Sequence, residues 1–221
     1  MAIDAVLIGT RNQNNTATVT TGAGTTTAGT PKAVCFAYDA SVTVTSVASN
    51  LGGTYLLAAE INAAGSKKAV YVCENAPGGA THTFTVTFSA AAFATVHAIE
   101  ITGSSANPAR DITLTASDAS SPWTITSGTL GSSAQVILTL IGHDGGSGAT
   151  YSSSNTTILS QEPDGGNYWT SAVSKLVVAS NASVTPSFTA AGGTNAGLVL
   201  VSFKETAGGG GGGSTVNVIW F

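Results

Sequence analysis

Charge is what this chain of 221 residues has least of: Asp, Glu, Lys and Arg together make up 8%, against about 25% in an ordinary globular protein. The 7 basic residues form no run and the formal net charge is −4, so the electrostatic attraction that dominates binding to a phosphate backbone is missing. Nucleic-acid partners are excluded on that ground, and an anionic membrane surface is disfavoured with them. Two cysteines occur, Cys35 and Cys73; without C-x-x-C spacing they match neither zinc nor redox motifs. Two readings of them stay open. Free cysteine packs as a small buried hydrophobe, whereas a cross-strand disulfide is opposed by cytosolic synthesis. No apolar run approaches the roughly 18 residues of a membrane span, and the start, MAIDAVLIGTRNQNNT, lacks the cationic segment of a secretory signal. Synthesis in a cytoplasm is the expectation.

Catalytic groups are as sparse as charge. The three histidines, His82, His97 and His143, are not accompanied by a G-x-S-x-G elbow. His82 and His97 lie in alternating segments and read as surface or satisfied core residues, and His143 precedes a Gly-Gly turn. The carboxylates Glu60, Glu74, Glu100, Asp111, Asp118, Asp144, Glu162 and Asp164 are scattered, with nothing to pair any two across a cleft as glycoside hydrolysis requires. No clustered ligands for a metal and no phosphate-binding loop occur. The expectation is a non-enzymatic protein without a cofactor.

What the sequence does have is 43% hydrophobic residues, 27 glycines and period-two alternation, as in THTFTVTF at 81–88 and SVTVT at 41–45. Alternation at that period places apolar side chains on one face of a strand. Further β-rich runs cover 33–38, 54–61, 69–73, 95–102, 111–116, 135–141, 172–178, 183–189 and 197–203. Between them stand turn formers such as Asn50-Leu51-Gly52-Gly53, Pro77-Gly78-Gly79 and Pro163-Asp164-Gly165-Gly166, which supply the backbone angles of tight reversals. The alanine-rich stretch 90–96 is read as a turn or strand lead-in, and 20–30 as an irregular loop. Many short strands with regular punctuation predict an all-β, antiparallel β-sandwich of jelly-roll type. Residues 1–30 read as an arm or edge strand, 31–205 as the sandwich, and 206–221 as a tether with a terminal strand.

That last segment is distinctive. Gly208–Gly213 is a flexible tether, and after it Val216, Val218, Ile219, Trp220 and Phe221 are apolar and β-prone. Left in water, such a segment is an aggregation hazard. Either it folds back on its own body, or it adds a strand to a neighbour's sheet edge. Tyr168 and Trp169, after a Gly-Gly turn, are the best candidates for a sugar-stacking platform, with core packing as the alternative.

The segments VTVTSVASNLGGTYLLA (42–58), AVYVCENAPGGATHTFTVTF (69–88) and LVLVSFK (198–204) resemble a family of β-sandwich modules in phage and prophage structural proteins. The likeness spans roughly residues 31–205 and stops short of the tether. It departs from the family pattern at Asn50-Leu51-Gly52-Gly53, where the family carries Asp-x-x-Gly-Asn, so no metal role is carried over to that turn. The resemblance implies one sandwich over the whole span and a place on a virion, as a capsid decoration (cement) or fibre-type subunit in contact with capsid or tail proteins. A homo-oligomer gripped by terminal arms is expected, and attachment to host surface glycan is the alternative.

Overall fold

The structure, a computed structural model, describes residues 2–104, 109–131, 134–144 (without the Asp144 side chain), 149–164, 169–178, 182–192 and 195–206. Its strands fall into two series of eight. The first holds β1 (Asp4–Thr20), β2 (Gly24–Thr26), β3 (Lys32–Asp39), β4 (Val44–Ser49), β5 (Leu56–Ala63), β6 (Ser66–Cys73), β7 (Gly79–His82) and β8 (Phe84–Thr102). The second holds β9 (Arg110–Asp118), β10 (Trp123–Thr124), β11 (Gln135–Asp144), β12 (Ser152–Ser153), β13 (Thr157–Pro163), β14 (Trp169–Val178), β15 (Ser187–Thr189) and β16 (Ala196–Lys204). All their ladders are antiparallel.

The large sheet of the first series has the order β1-β8-β3-β6-β5, and that of the second β9-β16-β11-β14-β13. Shifting the first order by eight strands gives the second, and the pairing of β2 with β7 is matched by that of β10 with β15. First, eighth, third and sixth strands side by side is the order of a jelly roll, an architecture of two linked Greek keys. The chain is therefore two successive jelly-roll-like sandwiches, which corrects the expectation of one sandwich over 31–205. Of the two readings of the N-terminal segment the edge strand holds, since residues 4–20 form the outer strand of the first sheet, while the irregular loop expected over 20–30 contains the short strand β2. Residues 90–96 are part of the long strand β8. Register shifts on β1 at 7/9, 13/16 and 16/18 bend the β1–β8 ribbon, as bulges do, so that its far half pairs with β4 and folds over the back of its own sheet.

The two large sheets pack face to face. Ala33, Cys35, Val70, Val72, Ile99 and Ile101 from the first meet Val136, Leu138, Leu140, Val173, Val199, Val201 and Phe203 from the second. Each sheet has a further core on its outer face, with Phe36, Tyr38, Phe84 and Phe88 in the first repeat and Trp123, Tyr151 and Phe188 in the second. Burial on both faces explains why β3, β11 and β16 are near-continuous apolar runs, since neither face needs polar residues. Across the middle core, β5 lies against β9 and β16 while β13 lies against β1 and β8. These contacts exchange under the eight-strand shift, so the repeats meet as the subunits of a two-fold dimer do.

Polar contacts tie the same interface. Lys175 Nζ donates to Asp4 Oδ1 at 2.6 Å and to the Ala5 carbonyl at 3.0 Å. Thr10 donates to Glu162 at 2.8 Å, and Arg110 pairs with Glu74 at 2.7 Å. The stem of Lys68 crosses beneath Gly142 and Gly197, register partners on β11 and β16, and a Cβ at Gly142 would come within 2.7 Å of its Cε. These glycines are small because a lysine runs over them.

Candidate functional site

The residues with chemistry in them are taken up by structure. His97 is fully buried between the large sheets, its Nδ1 3.0 Å from Ser160 Oγ and its Nε2 2.9 Å from Ser171 Oγ. Burial drives its pKa down to about 3, which keeps the ring neutral. His82 is buried, bonded through Nδ1 to Thr26 Oγ1 at 2.7 Å and stacked on Phe84; burial, helped by the charge of Lys32, lowers its pKa. His143 is buried rather than placed in a turn, stacked on Trp123 with Nδ1 2.5 Å from the Tyr151 hydroxyl. None of the three faces solvent as a general base must.

The described carboxylates take separate structural duties. Glu60 accepts from the Tyr38 hydroxyl. Glu74 holds Arg110 and the Ala109 amide, and Asp111 accepts from Gln135 and the Gly131 amide. Glu100 accepts from the Thr27 amide at 2.7 Å and the Thr30 hydroxyl at 2.8 Å, beside the buried ammonium of Lys32 at 3.5 Å. Burial lowers the pKa of Lys32, and the Glu100 charge opposes that. This ion pair clamps the turn before β3, and in the second repeat the Gln135–Asp111 contact clamps the turn before β11. No group of three His, Cys, Asp or Glu that could hold a metal exists among the described residues, and no described helix is long and apolar enough to cross a membrane.

Cys35 and Cys73 are both free and buried. They sit on adjacent strands, but Cys35 is opposite Val70 and Cys73 opposite Lys32, and they face different cores. A bridge between them is excluded by that geometry. Burial pushes the Cys35 thiol up to about 12.

Trp169 is 4% exposed at the start of β14, so its ring offers no face for stacking on a sugar; Tyr168 lies outside the described residues. Val216, Val218, Ile219, Trp220 and Phe221 also lie outside them.

What remains open is an edge. In the large sheet of the first repeat β5 is terminal, paired with β6 alone, and at its start Leu56 is 58% and Leu57 48% exposed. Successive strand residues point to opposite faces, so exposure of both means that neither cover reaches this end. A groove of 370 Å³ runs beside it, between β4 and the segment leading into β5, lined by Val44, Val47, Tyr55 and Tyr71 together with the polar Thr45, Ser46 and Thr54. The exposed Leu51 stands in the turn that joins the two strands. In the second repeat the equivalent place is closed. There Ser153 Oγ accepts from the Thr156 amide at 3.1 Å, Asn155 reaches the Thr185 carbonyl at 2.7 Å, and β13 carries no exposed large apolar residue. The sequence marks 54–61 as a strand but not as an edge. The signal was there in Leu56-Leu57, two adjacent leucines that break the alternation.

Comparison of the chain with protein-family models, with curated proteins and with solved structures gave no match.

Proposed function

We propose that this chain is a non-enzymatic structural subunit of a bacteriophage particle, a capsid decoration or fibre-type protein made in the host cytoplasm and held to its neighbours by its terminal strand. The observation that carries this reading is a double sandwich whose first large sheet ends, at β5, in a margin with exposed leucines. The ionisable candidates described above are spent on holding turns and sheets together, while Leu56 and Leu57 present apolar surface and unpaired backbone at a sheet margin. Edges left in this state are templates for another strand, and the sequence ends in an uncharged, β-prone segment behind a glycine tether. Rigid sandwiches that expose pairing surface and no reactive group suit adhesion between molecules. The resemblance of 42–58, 69–88 and 198–204 to phage sandwich modules supplies the particle.

The test is cosedimentation with the phage particle. The full chain is expected to travel with purified particles, and a chain lacking 208–221 is expected to remain in the supernatant. Equal binding by both removes the tail from the function, and no binding by either removes the particle.

A further inference from the structure

We infer that the groove between β4 and the segment leading into β5 is a binding site for a neutral sugar residue of a glycan. Its volume, 370 Å³, falls at the small end of the range for small-molecule sites, about 300–1,000 Å³. Residues 44–47 line it from one side and 53–55 from the other, with Tyr71 of β6 beside them. That lining sets the chemistry of the occupant. No charged side chain belongs to it, and the charged residues nearby are engaged: the Glu60 carboxylate accepts from the Tyr38 hydroxyl, and Lys67 Nζ donates to the Val42 carbonyl at 2.9 Å. A charged ligand would leave water with no counter-charge to meet it. A purely apolar ligand would strip water from the hydroxyls of Ser46 and Thr54, which bond to no other described residue, and would offer nothing in return. Sugar hydroxyls donate and accept without charge. The apolar face of a sugar ring needs a flat, rigid partner with a polar tip, which tyrosine supplies at low entropic cost. Tyr71 is half-buried and stacked on Phe36 with ring centroids 5.6 Å apart, and Tyr55 is fixed edge-on against Phe84 at 5.8 Å. Burial, and after it the charge of Glu60, raises the Tyr71 pKa, so its phenol stays neutral.

The cover to which β4 belongs extends the same chemistry beyond the groove. Register sets Thr18, Thr87 and Ser46 in one row across β1, β8 and β4, and Thr20 and Thr85 in the next row on the same face. Val19, Val86 and Phe88 take the other face and are buried. No charged residue occurs in 14–20, 44–49 or 84–92, so a chain of sugars leaving the groove over this cover meets hydroxyls and no charge. Around β12, the counterpart of β4 in the second repeat, the polar groups satisfy one another instead. Asn155 Nδ2 donates to the Thr185 carbonyl at 2.7 Å, and Ser152 Oγ lies 2.7 Å from Thr189 Oγ1. The same chemistry is thus left open to a ligand in the first repeat and closed on itself in the second. Trp169, the aromatic residue that the sequence offers for sugar stacking, is buried far along the chain in β14 and has no part in this groove.

Deletion of 208–221, which tests the place on the particle, leaves the groove intact, so either reading can fail without the other. The experiment is a titration of the isotope-labelled full chain, followed by amide chemical shifts, with four neutral oligosaccharides: maltohexaose, cellohexaose, mannohexaose and chitohexaose. Hexagalacturonate is the anionic control. At least one neutral probe is expected to give saturable shifts at the amides of 44–47, 53–55 and 71 below about 10 mM, and hexagalacturonate is expected to give none there. A variant carrying Ser46→Ala and Thr54→Val, two exposed positions, keeps its core and is expected to bind the same probe at least about tenfold more weakly. Its amide shifts away from the groove, unchanged from the native chain, report that it is folded. No saturable shift with any of the four neutral probes, shifts confined to other parts of the chain, equal binding of hexagalacturonate, or a variant that binds as the native chain does would each overturn the assignment.

Discussion

Acidification should loosen the joint between the two repeats, and His97 sets how much. In the folded chain this ring is buried between the large sheets with a pKa near 3, whereas in the unfolded chain it titrates at the ordinary 6.5. Above pH 6.5 the ring is neutral in both states and contributes no pH dependence. Below it the unfolded state takes up a proton that the folded state refuses, so stability falls by about 1.4 kcal/mol per pH unit until about pH 3. Going from about pH 7 to about pH 4.5 crosses two of those units and removes about 2.7 kcal/mol. For a domain of this size that is a fall in Tm of roughly 5–11 °C. His82, the carboxylates and the other groups add their own dependence, so the measurement is a difference: thermal and urea unfolding of the native chain and of His97→Gln at both pH values. Glutamine keeps a hydrogen bond to Ser160 or Ser171 and cannot titrate. The variant is expected to be less stable at pH 7 but to lose about 2.7 kcal/mol less on acidification. Equal losses in the two proteins would refute the placement of a neutral histidine at this interface.

Other consequences follow from packing. Phe203→Ala, which empties a fully buried site in the middle core, should cost about 3–5 kcal/mol by urea denaturation, while Leu56→Ala at the exposed edge should stay within about 0.5 kcal/mol. Gly103 has φ +70° and a Cβ there would lie 2.5 Å from the Ala2 carbonyl oxygen; Gly103→Ala should therefore cost about 2–4 kcal/mol, from left-handed strain and a backbone overlap together. Both cysteines are free and buried, so a thiol reagent should label neither in the native chain at neutral pH and both after denaturation. A labelling count of zero after denaturation without reductant would reveal a disulfide and contradict the strand register.

The all-β character was legible because period-two alternation survives in stretches such as 81–88, and because turn residues stand where β4 runs to β5 and β6 to β7. The doubling was not. The repeats share strand order and faces but few side chains: Lys32 and Glu100 in one are matched by Gln135 and Lys204 in the other, and Phe36 by Thr139. A fold constrains polarity by face, and identity much less. Nor does alternation show that a strand is covered twice. Cys35, Phe36 and Ala37 are all fully buried, and only the packing of one repeat on the other tells which sheet each faces. Nothing in the sequence shows that Tyr151 and Trp123 share one core with Phe188, which β10, β12 and β15 bring about. The exposed edge is illegible in sequence for the same reason: whether Leu56 and Leu57 meet a neighbour depends on β4, which ends at Ser49, close in sequence but across a groove in space.

The central claim is that this double sandwich joins other molecules through a strand it donates, and an electron cryomicroscopy map of phage particles bearing the chain tests it most directly. Continuous density leading from Thr206 of one subunit to a strand laid on a neighbouring molecule, with bulk at Trp220 and Phe221, is the predicted result. Density for those side chains packed on their own subunit, or particles on which the chain has no place, would contradict it.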